Sequence, residues 1–116
     1  MEHLERLGHR YFTRWQLDRA IHVLSFVARQ AATRDFAPFM LGETYRRRGD
    51  WEEATRWYLE SYQRGRTDLL TMFRCAEGMY RQGQKSDARA WFEYLVAHDV
   101  PGPRLEQARA LLERCR

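Results

Sequence analysis

Cutting the chain every 34 residues from residue 1 stacks like residues in register, and this period constrains the fold more than any other feature of the sequence. The segments are 1–34, 35–68 and 69–102, followed by residues 103–116. The seventh column holds Leu7, Leu41 and Cys75, and the eighth holds Gly8, Gly42 and Ala76. The eleventh holds Tyr11, Tyr45 and Met79. The twentieth is alanine throughout, as Ala20, Ala54 and Ala88. The twenty-fourth holds Leu24, Tyr58 and Phe92, and the twenty-seventh Val27, Ser61 and Leu95. One column of small residues arises easily by chance, but agreement across six columns does not. Such a period implies one supersecondary unit, repeated, that buries its apolar face only against its neighbours.

Each 34-residue segment divides into two helical stretches around a short turn. Apolar spacing predicts helices near residues 2–14, 17–30, 36–48, 51–64, 69–82, 86–98 and 103–115. Asp35 and Asp68 stand at N-cap positions, and Asp50 with Glu53 has the spacing of a capping box. Gly49 and Gly83 fit the left-handed residue that ends a helix, while Trp15 occupies that column in the first segment. Pro38 falls in a first helical turn, where its missing N–H costs little. Leu105, Ala108, Leu111 and Leu112 form one apolar stripe after Pro103, as expected of a closing helix with one wet face.

The 34-residue pattern resembles the tetratricopeptide repeat (TPR), most closely in Leu41-Gly42-x-x-Tyr45 followed by Gly49-Asp50-Trp51-Glu52-Glu53-Ala54. The resemblance covers three repeats and implies an all-α fold. The expected form is a single domain over 1–116, a right-handed superhelix of three helix pairs plus a C-terminal capping helix. It also implies that the first helix of each repeat lines a concave groove through its second, fifth, ninth, twelfth and thirteenth positions. These are Glu2, Glu5, His9, Phe12 and Thr13, then Phe36, Phe39, Glu43, Arg46 and Arg47, then Leu70, Phe73, Glu77, Tyr80 and Arg81. Several are large and apolar although the repeat fold does not require it. This suggests a pocketed groove for apolar side chains of a peptide, with local ring packing as the alternative. Arg46, Arg47 and Arg81 could dock a ligand carboxylate or form a solvated face. TPR domains that grip C-terminal carboxylates carry Lys and Asn where this chain has Glu5 and His9, so that subtype is not expected. Trp57 and Trp91 stand one repeat apart and are read as packing residues or a second contact surface.

A narrower resemblance is to the small TPR chaperones of type III secretion. It rests on Leu7-Gly8-x-x-Tyr11, Phe39-Met40-Leu41-Gly42, Phe73-Arg74-Cys75-Ala76-Glu77, Ala90-Trp91-Phe92-Glu93-Tyr94-Leu95 and the closing helix. It implies a cytoplasmic chaperone that holds a segment of a secreted translocator or apparatus component. Phe12, Phe39, Tyr45, Phe73 and Tyr80 would be its pocket residues. On that reading Phe73→Arg abolishes partner binding and leaves helicity intact. A general TPR adaptor or assembly scaffold is the alternative.

Composition bears on the remaining classes. The net charge is +4, and 19 of the 20 cationic residues are arginine, which makes a basic nucleic-acid-associated protein a weaker alternative. Glu2, Glu5, Glu43 and Glu77 on the groove columns oppose a phosphate backbone, so nucleic acid is not the favoured partner. His3, His9, His22 and His98 show no metal-ligand or metalloprotease spacing, and Cys75 and Cys115 form no CxxC pair. No enzyme activity, cofactor or metal is therefore expected. Neither a secretion signal nor an apolar run of membrane length is evident, so a soluble, cytoplasmic protein without membrane insertion is expected.

Overall fold

A computed structural model describes residues 1–98 and 100–116. Its described residues form helices α1 (Glu2–Thr13), α2 (Leu17–Gln30), α3 (Phe36–Arg47), α4 (Trp51–Gln63), α5 (Leu69–Arg81), α6 (Lys85–Ala97) and α7 (Arg104–Arg114). The chain is all-α, and every helix lies within two residues of its predicted place. None of these helices is long and apolar enough to cross a membrane. The helices fall into two compact units, Met1–Arg66 and Thr67–Arg116.

In the first unit α1 packs on α2, α2 on α3, and α3 on α4, with α1 also touching α3. The repeat columns explain these contacts. Ala20, Leu24 and Val27 on α2, and Ala54, Tyr58 and Ser61 on α4, are all fully buried. Leu24 and Tyr58 each face a glycine step on the preceding helix. A Cβ built on Gly8 would lie 2.6 Å from Leu24 Cδ2, and one on Gly42 would lie 2.6 Å from Tyr58 Cδ1. The glycines thus let each helix pair close until side chain meets backbone.

In the second unit α5 packs on α6, and α7 packs on both. Phe73 and Phe92 meet edge to face at 6.1 Å, and both are fully buried with Cys75, Ala88 and Leu95. Ala108 and Leu112 on α7 are buried, with Leu105 and Leu111 half-buried beside them. The stripe read from the sequence is therefore the face that α7 turns inward. Burial pushes the Cys75 thiol up to about 12. The unfolded chain releases that proton above about pH 9, and the native chain holds it until about 12. The thiol's contribution is thus full below pH 9 and declines as pH rises, by about 1.4 kcal/mol per pH unit. We expect the urea-unfolding free energy of wild type to fall faster than that of Cys75→Ala between pH 9 and 10.5. Equal slopes would show an ordinary thiol.

The helix ends confirm part of the capping read from sequence. Asp50 accepts from the Glu53 N–H at 3.1 Å, as a cap should. Glu53 turns instead to Arg56 at 3.0 Å, so the box is not reciprocal. Asp35 and Asp68 do not cap through their side chains. Asp35 pairs with Arg66 at 3.3 Å, and Asp68 accepts the Thr71 hydroxyl at 2.6 Å. Each carboxylate finds a better-placed donor than its own helix N-terminus.

The turn inside each repeat is the same Schellman closure. Gln16 N–H donates to Tyr11 O at 2.9 Å, Asp50 N–H to Tyr45 O at 3.0 Å, and Gln84 N–H to Met79 O at 2.9 Å. The residue before each donor adopts the left-handed conformation, at φ 79° in Gly49, 81° in Gly83 and 58° in Trp15. Glycine takes that conformation freely; for tryptophan it costs about 1–2 kcal/mol.

Candidate functional site

A cleft of about 650 Å³ opens along α1, lined by Glu2, Glu5, Arg6, His9, Arg10, Thr13, Arg34 and Phe36. Glu2, Glu5, His9 and Thr13 are four of the five inner positions expected of the first repeat, and Phe36 begins those of the second. Successive steps of three and four residues put them on one helical stripe. Arg34 in the α2–α3 connection and Phe36, the first residue of α3, complete the lining beside that stripe.

At the cleft floor Glu5 is 6% exposed, yet fully paired. The Arg34 guanidinium donates to it twice, from Nε to Oε2 at 2.8 Å and from a terminal nitrogen to Oε1 at 2.5 Å. This fork-to-fork pairing satisfies both carboxylate oxygens, which a lone buried charge would not achieve. The Glu5 hydrogen bond, and then its charge, hold the Arg34 guanidinium above its ordinary pKa. His9 and Phe36 stand with ring centroids 6.4 Å apart, His9 exposed and Phe36 half-buried. The cleft therefore offers an apolar wall beside a floor whose buried charge is neutralised, with Glu2, Arg6 and Arg10 at the exposed margin.

Of the residues singled out as a pocket, Phe36 lines this cleft, and several others serve the fold instead. Phe12 is 8% exposed because the Arg47 guanidinium lies 3.5 Å over its ring. Arg47 also donates to Phe12 O at 2.7 Å and sits 4.3 Å from the Trp15 ring. Phe39 is buried edge to face against Tyr58 at 5.7 Å, under the Arg66 guanidinium at 4.2 Å. Phe73 is 1% exposed and belongs to the α5–α6 core, so its replacement tests folding rather than binding. That corrects the expectation that Phe73→Arg leaves helicity intact. Tyr45 is half-buried, and burial, followed by the charge of Glu53, pushes its phenol up.

The polar members of the set are similarly engaged. Glu43 accepts the Tyr58 hydroxyl at 2.6 Å. Arg46 lies 5.9 Å from the Trp51 ring. Glu77 pairs with Arg74 at 3.4 Å, with both side chains nearly buried. Tyr80 is half-buried and Arg81 exposed, both on α5 in the second unit. Trp57 and Trp91 are half-buried, and Trp57 has the Arg56 guanidinium 5.4 Å from its ring. Arginine–carboxylate pairs also engage Arg48 with Asp18, Arg64 with Glu60, Arg89 with Glu93 and Arg109 with Glu106. Much of the arginine excess thus works inside the fold, as stacking planes over rings or as ion-pair partners.

Arg6, Arg10 and Arg34 are cleft residues that the repeat columns did not indicate. Arg34 stands in the column that holds Asp68 and Gly102, so no recurring residue type marked it. A weak signal existed in Glu5, an acid on an inner column with no cation three or four residues further along its helix.

No protein-family model matches the chain, and no curated protein matches it by sequence. Solved structures do match. The Yersinia enterocolitica type III secretion chaperone SycD, in complex with a peptide of the translocator YopD, is similar with a TM-score of 0.81 at 15% identity. That match covers 98% of this chain and 90% of the chain in that structure. A second structure of the same chaperone gives a TM-score of 0.82 at 15% identity, over 98% of this chain and 81% of that one. The second TPR domain of human RPAP3, bound to the HSP70 peptide SGPTIEEVD, gives 0.80 at 16% identity, over 97% of this chain and 91% of that domain. The fold is that of a tetratricopeptide-repeat protein, as the 34-residue period implied.

Proposed function

We propose that the chain is a non-catalytic peptide-binding module, acting as a single domain, whose binding surface includes the α1 cleft. The observation that carries this reading is the cleft itself. About 650 Å³ of concave space is lined by inner-column residues, with a neutralised floor and an aromatic wall. A peptide side chain can bury apolar area against Phe36 and His9 without stranding the Glu5 charge, because Arg34 already satisfies it. Similar structures that hold peptides, one from a secretion translocator and one from a heat-shock protein, support the same reading.

The finer role we favour is that of a cytoplasmic secretion-type chaperone for one translocator or apparatus protein. Two of the similar structures are of a type III secretion translocator chaperone, and the narrower motif resemblance points the same way. A general adaptor uses the same cleft, and the identity of the partner separates the two roles.

The cleft is tested with a phage-displayed library of random 12-residue peptides selected on the purified chain. Titration calorimetry of the best binders then compares wild type with His9→Asp and Phe36→Ala. His9 is exposed, so its replacement is expected to leave the fold unchanged, which circular dichroism checks. The expected result is an affinity loss of about tenfold or more in both variants, equivalent to about 1.4 kcal/mol. Peptides that bind all three proteins equally would refute the cleft as the binding surface.

A further inference from the structure

Trp15 stands apart from the cleft lining and is unlike its counterparts in the other repeats. It occupies the left-handed turn position that Gly49 and Gly83 fill elsewhere, at φ 58°. Its side chain gains little from burial, since the residue is 61% exposed. A strained backbone beneath an exposed indole is a poor solution for folding alone.

The indole is nevertheless held in place. The Arg47 guanidinium lies 4.3 Å from its ring centroid, and Arg47 is itself fixed by Phe12 through the ring contact and the bond to Phe12 O. A shallow recess of about 410 Å³, lined by Trp15, Gln16, Leu17, Asp18 and Arg19, lies alongside. Arg19 lines the recess, Arg47 lies against the indole, and Arg48 pairs at 3.2 Å with Asp18, the acid in the recess. The corner therefore combines a rigid aromatic with net positive charge, features enriched where binding energy concentrates.

We propose that Trp15, braced by Arg47 at the α1–α2 turn, anchors an acidic peptide segment that carries an apolar side chain. The apolar side chain packs on the indole, and carboxylates of the segment meet the surrounding guanidinium groups. Positive corner and negative segment are complementary, and the prior bracing of Trp15 lowers the ordering cost of contact.

The test uses peptides from the same 12-residue library, measured against wild type, Trp15→Gly, Trp15→Asn and His9→Asp. Glycine and asparagine both accept the left-handed turn, so both variants keep wild-type helicity and a melting temperature no lower than wild type. A group of binders with Asp or Glu beside an aromatic or aliphatic residue is expected. Their affinity falls at least tenfold in both Trp15 variants and weakens steeply with salt. Binders insensitive to both Trp15 variants but sensitive to His9→Asp would overturn this proposal and leave the cleft reading standing; the reverse pattern would do the opposite. A lowered melting temperature in both Trp15 variants would make the indole a structural residue and also overturn it. So would a library that yields no binder, or capture of phosphatidylserine–phosphatidylcholine vesicles without any acidic peptide.

Discussion

Phe73→Arg is expected to unfold the Thr67–Arg116 unit. Phe73 is 1% exposed and stacks edge to face on the equally buried Phe92. Truncation to alanine alone removes the ring from a packed core, at a cost of about 3–5 kcal/mol. Arginine adds a charge that loses its hydration in that core, which raises the cost further. Since whole domains are stable by only about 5–15 kcal/mol, the arginine variant has no folded margin in this unit. Circular dichroism should show a loss of helicity and of cooperative melting in Phe73→Arg. Phe73→Ala should stay folded with its urea midpoint sharply lowered. A Phe73→Arg variant with wild-type helicity and melting would mean that the α5–α6 core is not packed as described.

The glycine steps give the second large effect, and for a reason unrelated to backbone conformation. Gly42 is helical, so alanine there gains about 1 kcal/mol of intrinsic helix preference. Against this, the new Cβ would stand 2.6–2.9 Å from Tyr58 Cδ1, Cε1 and Cγ. The Tyr58 ring is fully buried, meets Phe39 at its edge, and is tied to Glu43 through its hydroxyl, so it has no room to retreat. Overpacking of this kind costs about 1–3 kcal/mol, and the rigid ring places Gly42→Ala at the upper end. We expect a net loss of about 2 kcal/mol in urea unfolding. Gly49→Ala is the informative contrast, because at Gly49 a Cβ meets nothing within 4 Å and φ is +79°. Its cost of about 1 kcal/mol is purely conformational. If Gly42→Ala proved neutral or stabilising, the close approach of α3 and α4 would be wrong.

The core was largely legible in the sequence, because each column of the period corresponds to one physical requirement. Gly8 and Gly42 are small where helices touch, Ala20, Ala54 and Ala88 are small where they are faced, and Leu24, Tyr58 and Phe92 fill the interior. The binding surface was legible only as a set of positions. Hydrophobicity could not tell a ring offered to a ligand from one covered by a distant arginine. Arg47 reaches Phe12 from 35 residues along the chain, and Arg66 covers Phe39 from the connection that follows α4. Local pattern carries no trace of such contacts, so Phe12 and Phe39 read as pocket residues. Phe73 was misread for a different reason. Its column faces inward in the repeat, but at this step it packs against Phe92. The Arg34–Glu5 pairing was hidden because residue 34 follows no column rule.

The most direct measurement on the central claim is the amide spectrum of the ¹⁵N-labelled chain titrated with the tightest-binding selected peptide. Binding in the α1 cleft predicts shifts concentrated on Glu2, Glu5, His9, Thr13, Arg34 and Phe36, and their loss in His9→Asp. Shifts that leave these residues unmoved and gather instead on the exposed face around His22 and Phe26 of α2 would contradict it.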